Sequence, residues 1–239
     1  MAVSKWKDIR LFEFEQKFLP DTYIVIRLSM FNYHDFISSH SLDFPYDNKL
    51  FRLFQACGRE VSQNLDDISC FLANDEEISF IFKRQATCHN RRRDKLVSTV
   101  SSLFSSAFTF FWKKFFNSIL LQSPPMFLGK GMTIPNRRIL RNYLISRQEN
   151  MYQSALQRYC QIVLQRISKD KNECLSMNVS EKNELLFSHG INFNSLPAHH
   201  RHGIFTYFLK KSFHETSDYF QIDKFWANLK KNVFVNALS

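Results

Sequence analysis

Thr22-Tyr23-Ile24-Val25-Ile26-Arg27-Leu28-Ser29 runs into Met30-Phe31-Asn32-Tyr33-His34-Asp35-Phe36, and this stretch decides the fold together with a second one. The second is Ile68-Ser69-Cys70-Phe71-Leu72, joined through Ala73-Asn74-Asp75-Glu76-Glu77 to Ile78-Ser79-Phe80-Ile81-Phe82. All three apolar runs are rich in β-branched and aromatic residues, which suit a pleated surface. The first reads as a strand turning into a helix, and the second as a hairpin with an acidic turn. Side by side in one sheet, they place the acidic turn at a sheet edge, next to the end of the first strand. Nucleotidyl-transfer sites hold carboxylates in such places, where two Mg²⁺ ions clamp the attacking and leaving oxygens.

Working outward, Pro45 and Asp47 open a helix whose apolar stripe is Leu50, Phe54, Cys57, Val61 and Leu65. After the hairpin, the basic run His89-Asn90-Arg91-Arg92-Arg93-Asp94-Lys95 opens a long helix with stripe Leu96, Val100, Leu103, Ala107 and Phe111. A further strand is expected in Met126 to Ile134, after Pro124-Pro125. The order β-α-β-β-α-β specifies an α/β (α+β) fold, a ferredoxin-type split βαβ sheet of the polymerase-palm kind. Residues 7–17 read as a short charged helix. Arg138 to about Arg166 reads as one long helix or two, with Leu156, Cys160, Val163 and Ile167 on one side. Ser180 with Asn183 as capping partner reads as another helix start. The aromatic and Lys-rich tail from Phe205 to Ser239 reads as an amphipathic helical extension.

Composition narrows the function. Only 5 glycines occur among 239 residues, and no Walker or Rossmann glycine pattern is present. The net charge of +10 suits a polyanionic partner, although an unremarkable basic surface has the same charge. The 5 cysteines are widely spaced and fit free thiols in a reducing compartment. Met1-Ala2-Val3-Ser4-Lys5-Trp6-Lys7 has no apolar signal core, and Leu103 to Phe116 is too short and polar to span a bilayer. A cytoplasmic, non-membrane protein is expected, with the mitochondrion as the alternative. The sequon Asn178-Val179-Ser180 is then idle.

Each candidate motif also has a plain structural reading. Arg91-Arg92-Arg93-x-Lys95 at a helix start suits phosphate, yet equally describes a solvated first turn. Asp75-Glu76-Glu77 packs three like charges that a cation would relieve, yet exposed acidic turns are common. His199-His200-x-His202 lacks a second pair at metal-ligand spacing. His34 is of interest because it follows the first strand directly.

These motifs, in this order, resemble the tRNA-histidine guanylyltransferases over about residues 1–207. The family's Arg-hydrophobic-Asp-Gly-Arg-x-Phe-His-x-Phe stands here as Arg27-Leu28-Ser29-Met30-Phe31-Asn32-Tyr33-His34-Asp35-Phe36. Its hairpin Ser-Asp-Glu-Tyr-Ser-Phe-x-Phe is Asp75-Glu76-Glu77-Ile78-Ser79-Phe80-Ile81-Phe82, and its Arg-Arg-x-x-Lys is matched by Arg91-Arg92-Arg93-Asp94-Lys95. Its Pro-Pro-x-Phe-Asp-Gly-Arg becomes Pro124-Pro125-Met126-Phe127-Leu128-Gly129-Lys130, and its Trp-Arg-Gln is Ser146-Arg147-Gln148. Its Asp-Lys-Asn-Glu-hydrophobic-Leu-Phe is Glu181-Lys182-Asn183-Glu184-Leu185-Leu186-Phe187, and Gly190 to Pro197 also matches.

The resemblance implies an enzyme that adds guanylate to the 5′ end of histidine tRNA. The end is activated with a nucleoside triphosphate (ATP or GTP), and a hydroxyl of an incoming GTP attacks it. It implies two Mg²⁺ ions and a homotetramer with tRNA lying across subunits. Carried over residue by residue, the catalytic positions are Ser29, Glu76 and Glu77. The metal positions are Ser29 (Asp in the family), the Met30 backbone and Glu76. Nucleotide binding falls to Arg27, Met30, Phe31, Asn32, Tyr33, His34, Asp75, Arg92 and Lys95, and tRNA binding to Arg147, Lys182 and Asn183. Residues 1–135 form a palm-like core, 136–207 a helical tRNA-binding and oligomerisation part, and 208–239 a divergent extension.

The departures fall on the chemistry. Ser29 replaces a metal carboxylate, and a neutral hydroxyl is a poor ligand for a hard cation. Glu76 is one methylene longer than the family's Asp. Asp75 replaces Ser and is expected to put negative charge in the triphosphate's path. Phe44 replaces the Lys of the family's Lys-Pro-Asn-Asp. Tyr152-Gln153-Ser154-Ala155-Leu156-Gln157-Arg158 stands where the family has His-x-Asn-Asn-x-Tyr-Asn, which helps recognise the tRNA. A one-residue slip aligning Asp75-Glu76 with the family's Asp-Glu leaves Ser29 unchanged. The sequence therefore specifies a family member with impaired catalysis. The alternatives are an inactive pseudoenzyme that binds tRNA or assembles oligomers, and a purely structural partner.

Overall fold

A computed structural model of the chain describes residues 14–209 and 212–217. Strand β1 (Tyr23–Met30) is paired along both edges, by β4 and β3, and packs into a core on each face of the sheet, so its sequence is nearly all apolar. Ile24, Ile26, Leu28 and Met30 enter one core, and Tyr23 and Val25 enter the other. The remaining strands are β2 (Ile68–Ala73), β3 (Glu77–Phe82), β4 (Phe127–Ile134), β5 (Ile204–Leu209) and β6 (Ser212–Thr216). They form a six-stranded sheet in the order β4-β1-β3-β2-β5-β6, with every neighbouring pair antiparallel. The first four strands reproduce the ferredoxin-type order expected from βαββαβ.

Helices α1 (Tyr33–Ser39), α2 (Asn48–Asn64) and α3 (Arg93–Phe115) share one hydrophobic core with one face of this sheet. Asp47 caps α2, its Oδ1 accepting from the backbone N–H groups of Lys49 and Leu50 at 2.8 Å each. Of the expected stripe, Leu50, Phe54, Cys57 and Val61 are fully buried, while Leu65 follows the helix as its C-cap and is partly buried. Gly58 lets α2 lie close on the sheet, since a Cβ there would meet Ile78 and the Phe71 ring at 2.8 Å. Edge-to-face rings fill the interior; Phe104 and Phe127 have centroids 4.7 Å apart at 82°.

The other face is covered by the N-terminal half of α4 (Arg137–Arg166), a single unbroken helix, through Leu140, Leu144 and Met151. Its C-terminal half, with Ala155, Leu156, Cys160 and Val163, packs on Cys174, Leu186 and Phe193 in a third cluster. That cluster includes α5 (Val179–Ser188). Short α6 (Ala198–His202) ends at Gly203, whose φ of 69° admits the turn into β5.

Four expectations differ from the structure. Residues 14–17 are not helical; Lys17 forms a bridge with Arg92, and 7–13 lie outside the described residues. Helix α5 starts at Val179, capped by Asn178 in a reciprocal box with Glu181, because Glu181 can return the bond to the cap's N–H, whereas Asn183 spends its side chain on the Val179 carbonyl. Residues 204–209 and 212–216 form strands rather than a helix, since β2 offers an edge that local propensity does not reveal. The rest of the tail lies outside the described residues. Because β5 covers β2, the acidic turn sits at the end of interior strands rather than at the sheet's edge.

Candidate active site

Antiparallel register brings the end of β1 against the β2–β3 turn. Ser29 lies between Glu77 on β3 and Leu128 on β4. The Met30 N–H donates to the Glu76 carbonyl at 2.9 Å, and the Phe31 N–H donates to the Met126 carbonyl at 2.9 Å. Asn74 shapes the turn, its Oδ1 accepting from the N–H groups of Glu76 (3.0 Å) and Glu77 (2.8 Å). Asn32 then takes a left-handed φ of 50°, which Asn tolerates, and α1 begins.

The three carboxylates of the turn have separate fates. Glu77 accepts a two-pronged bond from Arg147 of α4, with Nη2 2.6 Å from Oε1 and 2.5 Å from Oε2. Asp75 is fully buried and meets Arg158, also of α4, at 3.1 and 3.2 Å. The Tyr33 hydroxyl donates to Asp75 at 2.6 Å and accepts from Arg158 at 2.7 Å. Glu76 is half-buried and its carboxylate has no hydrogen-bond partner among the described residues. Burial pushes the Glu76 carboxyl up, with Arg158 opposing and Asp75 and Glu77 adding to the rise. Burial works against the Arg158 charge, but Asp75, Tyr33 and Glu76 more than offset it and its pKa is raised.

Around this cluster lie further aromatic and imidazole groups. Tyr46 stacks on His200 with centroids 3.8 Å apart. The Tyr46 hydroxyl and the Arg158 Nε are buried without hydrogen-bond partners among the described residues. Burial, with His199 beside it, lowers the His200 pKa to about 4. His34 is exposed, and its ring meets Phe44 at 5.8 Å; burial of part of the ring and the Arg158 charge lower its pKa.

The structure therefore gathers Ser29, Met30, Asn32, Tyr33, His34, Asp75, Glu76 and Glu77 at one end of the sheet. Arg27 lies two residues before Ser29, between Ser79 and Lys130. Phe31 is exposed. Arg92 and Lys95 lie elsewhere. The basic run is tied to the opposite end of β1, with Arg91 donating to the carbonyls of Leu19, Thr22 and Ala86. Eight strand residues separate the two ends by roughly 23 Å. Arg92 pairs with Glu15 at 3.1 Å, and Lys95 is exposed.

Of the expected tRNA-binding residues, Arg147 is engaged with Glu77 and Lys182 is buried. Asn183 donates to the Val179 carbonyl and lines an Asn-rich cleft of about 310 Å³ with Asn192, Asn194 and exposed Phe187. Asp75 corrects the expectation of a charge in the triphosphate's path, because it is enclosed and paired. Arg158 is the residue that sequence reasoning missed. The available signal was the joint departure of positions 75 and 158 from the resembled motifs, one gaining a negative charge and the other a positive one.

The two Mg²⁺ ions implied by the resemblance do not fit this donor set. Ser29 offers a hydroxyl, Met30 a carbonyl, and only Glu76 an uncommitted carboxylate. Among the described residues no three His, Cys, Asp or Glu side chains are grouped to hold a metal.

Comparison with known proteins agrees with this architecture. Residues 6–135 match the family profile described as Thg1, tRNAHis guanylyltransferase. A Schizosaccharomyces pombe protein named tRNA(His) guanylyltransferase is 36% identical over 212 residues, covering 85% of this chain and 80% of the relative. A Bos taurus protein named probable tRNA(His) guanylyltransferase is 32% identical, covering 85% and 70%. The crystal structure of tRNA(His) guanylyltransferase from Saccharomyces cerevisiae superposes with a TM-score of 0.79 at 28% identity, covering 90% of this chain and 98% of that one. A bacterial Thg1-like protein in complex with ATP shares the fold, with a TM-score of 0.80 at 14% identity, covering 97% and 100%. On the profile match and the extent of the S. pombe alignment, this chain belongs to the tRNA(His) guanylyltransferase family.

Proposed function

We propose that this protein acts in tRNA processing, adding guanylate to the 5′ end of histidine tRNA at the site where β1 meets the β2–β3 turn. The observation carrying this reading is the union of Ser29, Met30, Asn32, His34 and Glu76 by one cross-strand register and the Met30–Glu76 hydrogen bond. GTP and ATP are the proposed substrates; bacterial Thg1-like proteins solved with each nucleotide share the fold. Arg27, Met30, Phe31, Asn32, Tyr33 and His34 form the proposed nucleotide wall. The left-handed φ of 50° at Asn32 turns the chain from the end of β1 into α1, beside Glu76. Phe44 packs on His34 where the resembled motif has a lysine, so phosphate attraction there is weaker.

Nucleotide addition is slow in this reading, because Ser29 supplies a dipole where a carboxylate would supply charge. Arg92 and Lys95 lie too far from the turn to reach a nucleotide there within one chain. We therefore assign them to a nucleotide held by another copy, in a tetramer with tRNA bridging subunits. The net charge of +10 supports an RNA partner. Among the described residues no helix is long and apolar enough to cross a membrane. The proposed location is the cytoplasm.

The test is a 5′-labelled transcript of histidine tRNA incubated with protein, Mg²⁺, ATP and GTP, beside Ser29→Asp. Slow product from the native chain is expected, with Ser29→Asp faster by ~10²-fold, the scale of one electrostatic contact in a transition state. No product from either, with tRNA still bound, would replace this reading with a binding-only role.

A further inference from the structure

A groove of about 460 Å³ runs between α2 and α3, lined by Glu60 and Asn64 of α2 and by Leu103, Ser106, Ala107 and Phe111 of α3. Phe110 stands at the same groove and is 80% exposed, although it belongs to a continuous helix. It follows Ala107 by about one helical turn, roughly 5 Å along the axis. A protruding ring thus lies next to a hole of small side chains on one helix. The rest of that face is short and polar. Ser98, Ser102, Ser106 and Thr109 are exposed. The Ser98 hydroxyl donates to the Asp94 carbonyl at 2.6 Å, and the Thr109 hydroxyl donates to the Ser105 carbonyl at 3.0 Å. Asn64 Nδ2 donates to the Glu60 carbonyl at 2.9 Å and to its carboxylate at 3.0 Å. Polar groups with partners inside their own helix can leave water without being orphaned. Side chains this short also let a second helix approach closely.

We propose that this face is a two-fold contact with a second copy of the chain, in which Phe110 of each copy fills the groove beside Ser106 and Ala107 of the other. The proposal rests on the assembly of copies in the proposed function, and it names the surface that one pair of them shares. Geometry selects this occupant first. Because ring and hole adjoin on one helix, two antiparallel α3 helices about a dyad seat both rings at once, and such an isologous contact closes on itself. Charge selects it second. In that pairing, the residue four beyond Phe110 lies on the same helix face, one turn past the hole, over the Leu103 turn of the other copy. That residue is Lys114, which is exposed, and it arrives where the groove of the other copy carries Glu60. RNA would find the ring and Lys114 too, but Glu60 beside them opposes its phosphates.

The deciding experiment is sedimentation velocity of the full chain over a dilution series. The native chain is expected as a dimer or tetramer, and Phe110→Ser at half the native mass. The dissociation constant of the pair should rise by ~30-fold or more, as for a central aromatic anchor. Exposure of Phe110 means that this variant keeps its fold, which far-UV circular dichroism checks. Glu60→Lys and Lys114→Glu, each alone, are expected to shift the series toward the smaller species. An equimolar mixture of these two variants is expected to shift it back, because a mixed pair holds one native and one reversed charge contact. A mixture no larger than its components overturns the proposal, as does a Phe110→Ser chain of native mass. A native chain of monomeric mass also overturns it and leaves the groove to another segment of the same chain. Loss of tRNA binding in Phe110→Ser at unchanged mass gives the face to RNA instead. Failure of the guanylyl-addition reading appears separately, as absent product from a chain of native mass.

Discussion

Arg158→Asn removes one half of the most enclosed ion pair described in the chain. Asp75 is 0% exposed and Arg158 4%, so neither charge has water to fall back on. Removing one partner of a buried pair typically costs ~3–5 kcal/mol, because the remaining charge stays desolvated. Removing both charges costs far less. The triple change Tyr33→Phe, Asp75→Leu and Arg158→Met replaces the whole hydrogen-bonded unit with apolar side chains of similar volume and is expected within ~1 kcal/mol of the native chain. For a protein of this size each kcal/mol shifts Tm by ~2–4 °C, so the single variant should melt roughly 6–20 °C lower. The assay is urea unfolding followed by circular dichroism at one fixed protein concentration, arranged as a mutant cycle. A single-variant cost below ~1 kcal/mol, or strict additivity, would refute the claim that the pair acts as a unit.

Gly203→Ala is expected to be strongly destabilising, since the Cβ would stand 2.5 Å from the Ala73 carbonyl oxygen at a φ of 69°; soluble yield and urea midpoint read this out. His200 holds a lowered pKa of about 4, so the unfolded chain binds a proton that the folded chain does not. Stability from this group is complete above the ordinary histidine range near ~6.5 and falls as pH drops toward 4. The native chain should lose more between pH 7 and 4.5 than His200→Phe, which keeps the stack on Tyr46 without the titration; equal losses would remove this contribution. Binding of tRNA should weaken by ~10²-fold or more between 50 and 200 mM salt, because many Lys and Arg contacts release counterions. A flat salt dependence would contradict an electrostatic interface.

Much of the architecture was readable because local signals and tertiary context agreed. Asp47 and the stripe through Leu50, Phe54, Cys57 and Val61 carry α2 within themselves, and the apolar runs around Asn74–Glu76 carry the hairpin. The strand from Ile204 failed to announce itself, because its partner is β2, 131 positions away, and Phe205, Tyr207 and Phe208 fit a helical face as well as a strand. At the site, adjacent residues such as Ser29 to His34 were legible as a group. The partnership of Asp75 with Arg158 spans 83 positions, and nothing local to either residue states it. Nor does chain order say that Arg92 and Lys95 begin their helix at the opposite end of β1; only the sheet's register does.

The place of β5 in the sheet also governs how the chain behaves while it is being made. Every residue of β2 is buried in the finished protein, and its outer edge is paired only when Ile204 reaches Ala73, 131 positions later. At a synthesis rate of ~5–20 residues per second, the ribosome needs roughly 7–26 seconds to cross that interval. During it, the growing polypeptide presents an apolar strand with unpaired backbone groups, a template for neighbouring nascent chains. Shielding by a chaperone would matter most in that interval, and stalling anywhere between the hairpin and residue 204 would prolong the hazard.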